Sequence, residues 1–105
     1  MEFRKATEHD IPKILALYAQ PDMDGDNVLS VAAAEKLFLE LNDNPDHQLM
    51  VVFDVDILVA TFSLITIKML SRNGSIMGLI EDIVVSSQCQ EQGVGAKIFE
   101  YSTDY

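Results

Sequence analysis

The sequence predicts an α+β fold with a mainly antiparallel sheet, its elements running in the order β-α-α-β-β-β-α. Three observations carry this reading. Two early stretches place apolar residues at helical spacing: Ile11, Ile14, Leu15 and Tyr18, then Val31, Ala34, Leu37, Phe38 and Leu41. Three strand-like runs follow with no helix between them, His47 to Asp54, Ile57 to Leu70 and Ser75 to Val85. Their short connections make neighbours antiparallel, because a parallel crossover needs a dozen or more residues. A last helical period, Val94, Ile98, Tyr101 and Tyr105, comes after them.

Taken in order, Glu2 to Ala6 reads as a first strand. Thr7-Glu8-His9-Asp10 has the pattern of a capping box, although Pro12 is comfortable only in a first turn and moves the helix start a few residues on. His9 beside the cap is expected to face solvent. Pro21 ends this helix. The acids Asp22, Asp24 and Asp26 alternate as in a calcium loop, but the sixth position is Asn27 instead of Gly and the twelfth is Ala33 instead of Glu, so a solvated acidic loop is expected. Ser30 caps the second helix, and Asn42-Asp43-Asn44-Pro45 ends it. Val55-Asp56 makes a tight turn. The run from Ile57 is apolar on both faces, as in a central strand. Ser71-Arg72-Asn73-Gly74 is a hairpin signal, and Ser75 to Val85 returns as the antiparallel partner.

The 105 residues suffice for a single domain, 1–105, and 49% are hydrophobic, enough for a packed core. A formal charge of −10 repels nucleic acid and anionic membrane, so neither is expected as a partner, while amines and other cations are attracted. Cys89 is the only cysteine, which excludes an intramolecular disulfide and reads as a reduced cytoplasmic thiol. No metal site is expected. Ile57 to Ile67 is too short and too rich in Thr and Ser to span a bilayer, and the N-terminus lacks the pattern of a signal peptide.

The chemistry concentrates between Glu81 and Ala96. Ile83-Val84-Val85 is a β-branched strand end. A polar loop follows, and Gly93 and Gly95 open a helix. Glycines let a ligand approach the backbone, and the free amides and dipole of a helix N-terminus suit phosphate. The dinucleotide fingerprint is excluded because its third glycine would be Ile98, and no Gly-Lys-Ser/Thr makes a P-loop.

Val85, Gln90, Gly93 and Gly95, at these spacings after an acidic-apolar strand, resemble motif A of the GNAT superfamily of acyl-CoA-dependent N-acetyltransferases. The element order also resembles the N-terminal part of that fold. The resemblance implies acetyl-CoA as co-substrate and a small-molecule amine as acceptor. It assigns the pantetheine arm to the strand backbone at Ile83, Val84 and Val85, with an amide near Val84 as oxyanion donor. The pyrophosphate falls to Gln90, Glu91, Gln92, Gly93, Val94, Gly95 and Ala96. Position 92, often basic in relatives, is Gln. Glu81 is the candidate base and Asp82 the alternative; strict alternation would put them on opposite faces, with Glu81 beside Ile83 and Val85. One of these acids could instead be exposed and the other paired with Arg72 or Lys68.

Measured against the family, the sequence is expected to lack the C-terminal strand-helix-strand. The strand Ser75 to Val85 would then be an open apolar edge, and a homodimer is expected. The alternative to an N-acetyltransferase is a truncated, inactive module that self-associates.

Overall fold

The computed structural model describes all residues except 22, 24, 26, 90–92 and 105. The acidic run at Asp22, Asp24 and Asp26, the segment Gln90 to Gln92, and Tyr105 therefore lie outside the described residues. Strands β1 (Glu2–Lys5), β2 (His47–Asp54), β3 (Ile57–Lys68) and β4 (Ile76–Val85) form one sheet in that order, with every pairing antiparallel. Helices α1 (Ile11–Tyr18) and α2 (Val31–Asn42) join β1 to β2, and α3 (Val94–Asp104) follows β4.

Local chemistry explains the boundaries. A 3-10 turn at Glu8–Asp10 precedes α1, so the helix begins at Ile11 with Pro12 in its first turn, where no intrahelical amide is lost. The Asp10 carboxylate accepts hydrogen bonds from the Thr7 amide at 2.7 Å and from both terminal nitrogens of Arg4 at 2.8 and 2.9 Å. His9 is exposed. Ser30 Oγ accepts from the Ala33 amide and caps α2. The turn between β2 and β3 holds Val55 at φ +59°, which costs about 1–2 kcal/mol for an L-residue. The expected hairpin connection is present, with Arg72, Asn73 and Gly74 all left-handed.

The sheet separates two cores. Residues Val51, Phe53 and Val84 pack with Ile11, Ile14, Leu17, Ala34 and Phe38 of α1 and α2. Residues Met50, Val52, Ala60, Phe62 and Leu64 pack with Val94 and Ile98 of α3 on the other face. Strand β3 lies between β2 and β4 and is buried from Leu58 to Leu64, as a central strand should be. Tyr101 stacks on Phe3 at 4.8 Å between centroids, which ties α3 to β1.

One feature of β4 departs from the period-two reading. Val84 pairs with Thr61 and Glu81 with Ser63, so Asp82 and Ile83 both stand opposite Phe62. This is a β-bulge, and Asp82 takes a left-handed φ of +55° within it. The bulge shifts the alternation by one. Glu81 therefore shares its face with Val84 instead of with Val85, and Val85 joins Ile80 on the α3 side. Among the described residues no helix is long and apolar enough to cross a membrane.

Candidate functional site

The bulge sits on one wall of a cleft of about 300 Å³ between α1, α2 and the sheet. Its flanks are apolar, from Ile14 and Leu15 of α1, Leu37 and Leu41 of α2, and Leu49 of β2. Its polar groups include Asn27, His47, Ser63 and Asp82. His47 Nε2 and Ser63 Oγ share a hydrogen bond at 3.1 Å. The antiparallel register makes this contact: Leu49 is opposite Ser63, so His47 is its diagonal neighbour on the same face. Glu81 stands directly across from Ser63 on the other side. Thus β2 and β3 contribute a hydrogen-bonded imidazole–hydroxyl pair, and the register sets Glu81 of β4 opposite its serine. Among the described residues neither Glu81 nor Asp82 forms an ion pair, and the expectation of a bridge to Arg72 or Lys68 is not met. Asp82 lines the cleft, whereas Glu81 does not.

The end of β4 presents backbone to the open edge. The Ser86 amide donates to the Val59 carbonyl at 2.8 Å, so Ser86 faces the ladder. Successive residues of a strand alternate their polar groups between its two edges, which directs those of Val84 to β3 and those of Val85 outward. The Gln20 side chain meets this edge. Its Nε2 donates to the Val85 carbonyl at 3.0 Å, and its Oε1 accepts from the Ser87 amide at 2.8 Å. Gln20 fixes the exit of β4 as a short added strand would. A more open hollow of about 470 Å³ lies beside it, lined by Lys13, Gln20, Ser86, Ser87 and Gln88.

Beyond the loop, Gly93 has φ +72°, a conformation that L side chains rarely adopt. Among the described residues a Cβ there would meet nothing within 4 Å, so the constraint at this position is the backbone angle and not space. The Lys97 amide donates to the Gly93 carbonyl, so the amides of Val94, Gly95 and Ala96 precede the first helical bond and have no acceptor within the helix. Val94 and Ile98 are fully buried and fix the helix direction. Cys89 is half-buried against the α3 core. No group of three or more metal-ligating side chains occurs among the described residues.

The described part of the predicted site thus falls on two sides of the end of β4. Asp82 lies toward α1 and α2; Val85, Gly93, Val94, Gly95 and Ala96 lie toward the open edge and α3. Gln90, Glu91 and Gln92 belong to the undescribed segment. His47, Ser63 and Gln20 were not foreseen as site residues. A strand-terminal His is a weak signal, and the other two acquire meaning only from the register and the docking of α1.

Comparison with solved structures places this geometry. A GNAT family acetyltransferase from Staphylococcus aureus superposes with a TM-score of 0.80 at 14% identity, over 98% of this chain and 75% of that one. The fold is that of the GNAT acetyltransferases. Glucosamine-6-phosphate N-acetyltransferase from Arabidopsis thaliana matches with a TM-score of 0.72 at 24% identity, over 98% of this chain and 71% of that one. A transcriptional regulator from Bacillus halodurans superposes as well, with a TM-score of 0.84 at 19% identity and 98% and 71% coverage. No family model and no curated protein matches the sequence.

Proposed function

We propose that the chain is an acetyl-CoA-dependent N-acetyltransferase acting on an amine. The observation that carries this reading is the bulged end of β4, which sets a carboxylate in a cleft on one side and, on the other, an outward strand edge that leads to the first amides of α3. Acetyl-CoA is the co-substrate: the amine nitrogen attacks its thioester carbonyl, a C–N bond forms, the C–S bond breaks, and the CoA sulfur leaves and takes a proton. The chain's own part is to hold, orient and move a proton. Val85 offers its outward amide to the pantetheine arm. The first amides of α3, behind Gly93, receive the pyrophosphate, with the helix dipole in support. Because Val84 faces the ladder, we assign the oxyanion donor to the bulge backbone. The attacking amine loses its proton to a β4 carboxylate. Asp82 is favoured because it lines the cleft, with Glu81, across from Ser63, as the second candidate.

The test is calorimetric titration of CoA into the parent chain and Gly93→Val. Gly93 requires φ +72°, where a β-branched residue is strained, so the substitution reorients the amides that follow. CoA affinity is expected to fall by at least tenfold. Equal affinity in the two proteins would remove the phosphate assignment.

Among the described residues no strand pairs with the outer edge of β4, where Gln20 bonds only the Val85 end, and Ile76 and Met77 at the other end are 67% and 42% exposed. Such an edge supports self-association through this strand. Sedimentation at micromolar concentration is expected to give a dimer, and a species of 11.7 kDa would refute it.

A further inference from the structure

Resting on the acetyltransferase reading, we propose that the acceptor is a compact primary amine with an apolar body of about one aromatic ring. The body fills the α1–α2 cleft, and its ammonium meets Asp82. Four observations lead there. The flanks of the cleft are built from Ile, Leu and Phe of three elements, and no Lys or Arg is among the described residues that line it. The apolar surface continues outward, since Leu29 and Leu37 of its wall remain 48% and 43% exposed, a rim an apolar ligand would cover. Near the sheet stand a carboxylate and the His47–Ser63 pair. The volume is at the lower limit of ordinary ligand pockets, and an apolar cavity of about 150 Å³ holds one benzene, so about 300 Å³ accommodates a ring with a short linker.

The same features disfavour other amines. A sugar phosphate would bring an anion to a cleft with a carboxylate in its wall and no Lys or Arg among the described residues that line it. A polyamine would place a second ammonium against the Ile and Leu side chains of the described flanks, where burial costs hydration. An amine carried on an apolar group matches both ends of the cleft at once. Apolar groups in such pockets typically discriminate by about 10–200-fold.

The experiment has a binding arm and a turnover arm, both on the intact chain. Phenethylamine, putrescine and glucosamine 6-phosphate are titrated by calorimetry without co-substrate, then compared as acceptors with acetyl-CoA by release of free thiol. Phenethylamine is expected to bind in the millimolar range or tighter, and to exceed putrescine at least tenfold in both affinity and kcat/KM. Leu37→Asp, a change on a half-exposed rim, should erase most of that preference; circular dichroism confirms its fold. If Leu37→Asp misfolds, Leu29→Asp, also on the exposed part of the wall, makes the same test. Equal or better use of putrescine or the sugar phosphate would overturn the proposal while leaving the transferase reading intact. Thiol release with none of the three, together with no CoA binding, would instead remove the transferase reading. In that case phenethylamine binding decides the cleft alone, and its absence at millimolar concentration overturns the proposal.

Discussion

Asp82→Asn lowers turnover by roughly 10²–10⁴-fold, the usual loss for a general base, and leaves the fold intact. Asn is chosen because it tolerates the left-handed backbone that Asp82 adopts at φ +55° and matches its shape. Affinity for CoA, whose proposed site is on the other side of β4, should stay nearly unchanged. Glu81→Gln is the paired measurement. It stands across from Ser63 but not in the cleft wall, so its loss should be the smaller one. The reverse order of effects would transfer the base to Glu81. Unaltered turnover in both variants would remove the carboxylates from the chemistry.

Among the polar side chains a large stability effect is expected at Asp10. Its side chain is only 7% exposed and accepts from two nitrogens of Arg4 and from the Thr7 amide. Arg4 is itself anchored over the Phe53 ring, 4.9 Å from the centroid. Asp10→Ala removes charged hydrogen bonds and strands the guanidinium, a loss of about 2 kcal/mol after allowing for the partial exposure of Arg4. In a domain of this size that lowers Tm by roughly 10 °C. The hydrogen bonds from Arg4, above all, and then from Thr7 hold the Asp10 carboxyl below its ordinary value of 3.8, against the opposing pull of burial. A depressed carboxylate stabilises the fold above its unfolded value, and that contribution disappears as pH falls through the folded value. The gap between parent and Asp10→Ala should therefore be full at neutral pH and begin to close only below about pH 3.8. Urea titrations at pH 7 and pH 3 read it. A gap that did not change with pH would mean packing, not charge, sustains the turn.

Much of this architecture is legible in the residues because local and global preferences agree. Ser30 caps α2, Pro12 delays α1, and the apolar run His47 to Asp54 is a strand with the same limits in sequence and structure. The bulge is not legible. Glu81-Asp82-Ile83-Val84-Val85 contains no glycine to announce it, and an apolar strand end hides a shift of period because both faces accept Val and Ile. The cluster around Ser63 is equally silent, since His47 is 16 positions away and reaches it only through the β2–β3 register. Gln20 is separated from Val85 by 65 positions, and its carboxamide gains a role only where α1 docks against the sheet. Of the two helix-opening glycines, Gly93 was legible because a left-handed φ leaves a mark in residue type.

The left-handed turn of the chain at Asp82 has a consequence for heredity. Backbone geometry there admits Asn, Asp and Gly most readily, and of these only Asp supplies a carboxylate. Drift at this codon therefore has two comfortable exits, both of which keep the backbone angle and extinguish the proposed proton acceptor. A lineage could lose its chemistry while every measure of folding, expression and solubility stays the same. Descendants that had made either exchange, to the amide or to glycine, would persist as well-formed scaffolds, available for recruitment to binding alone.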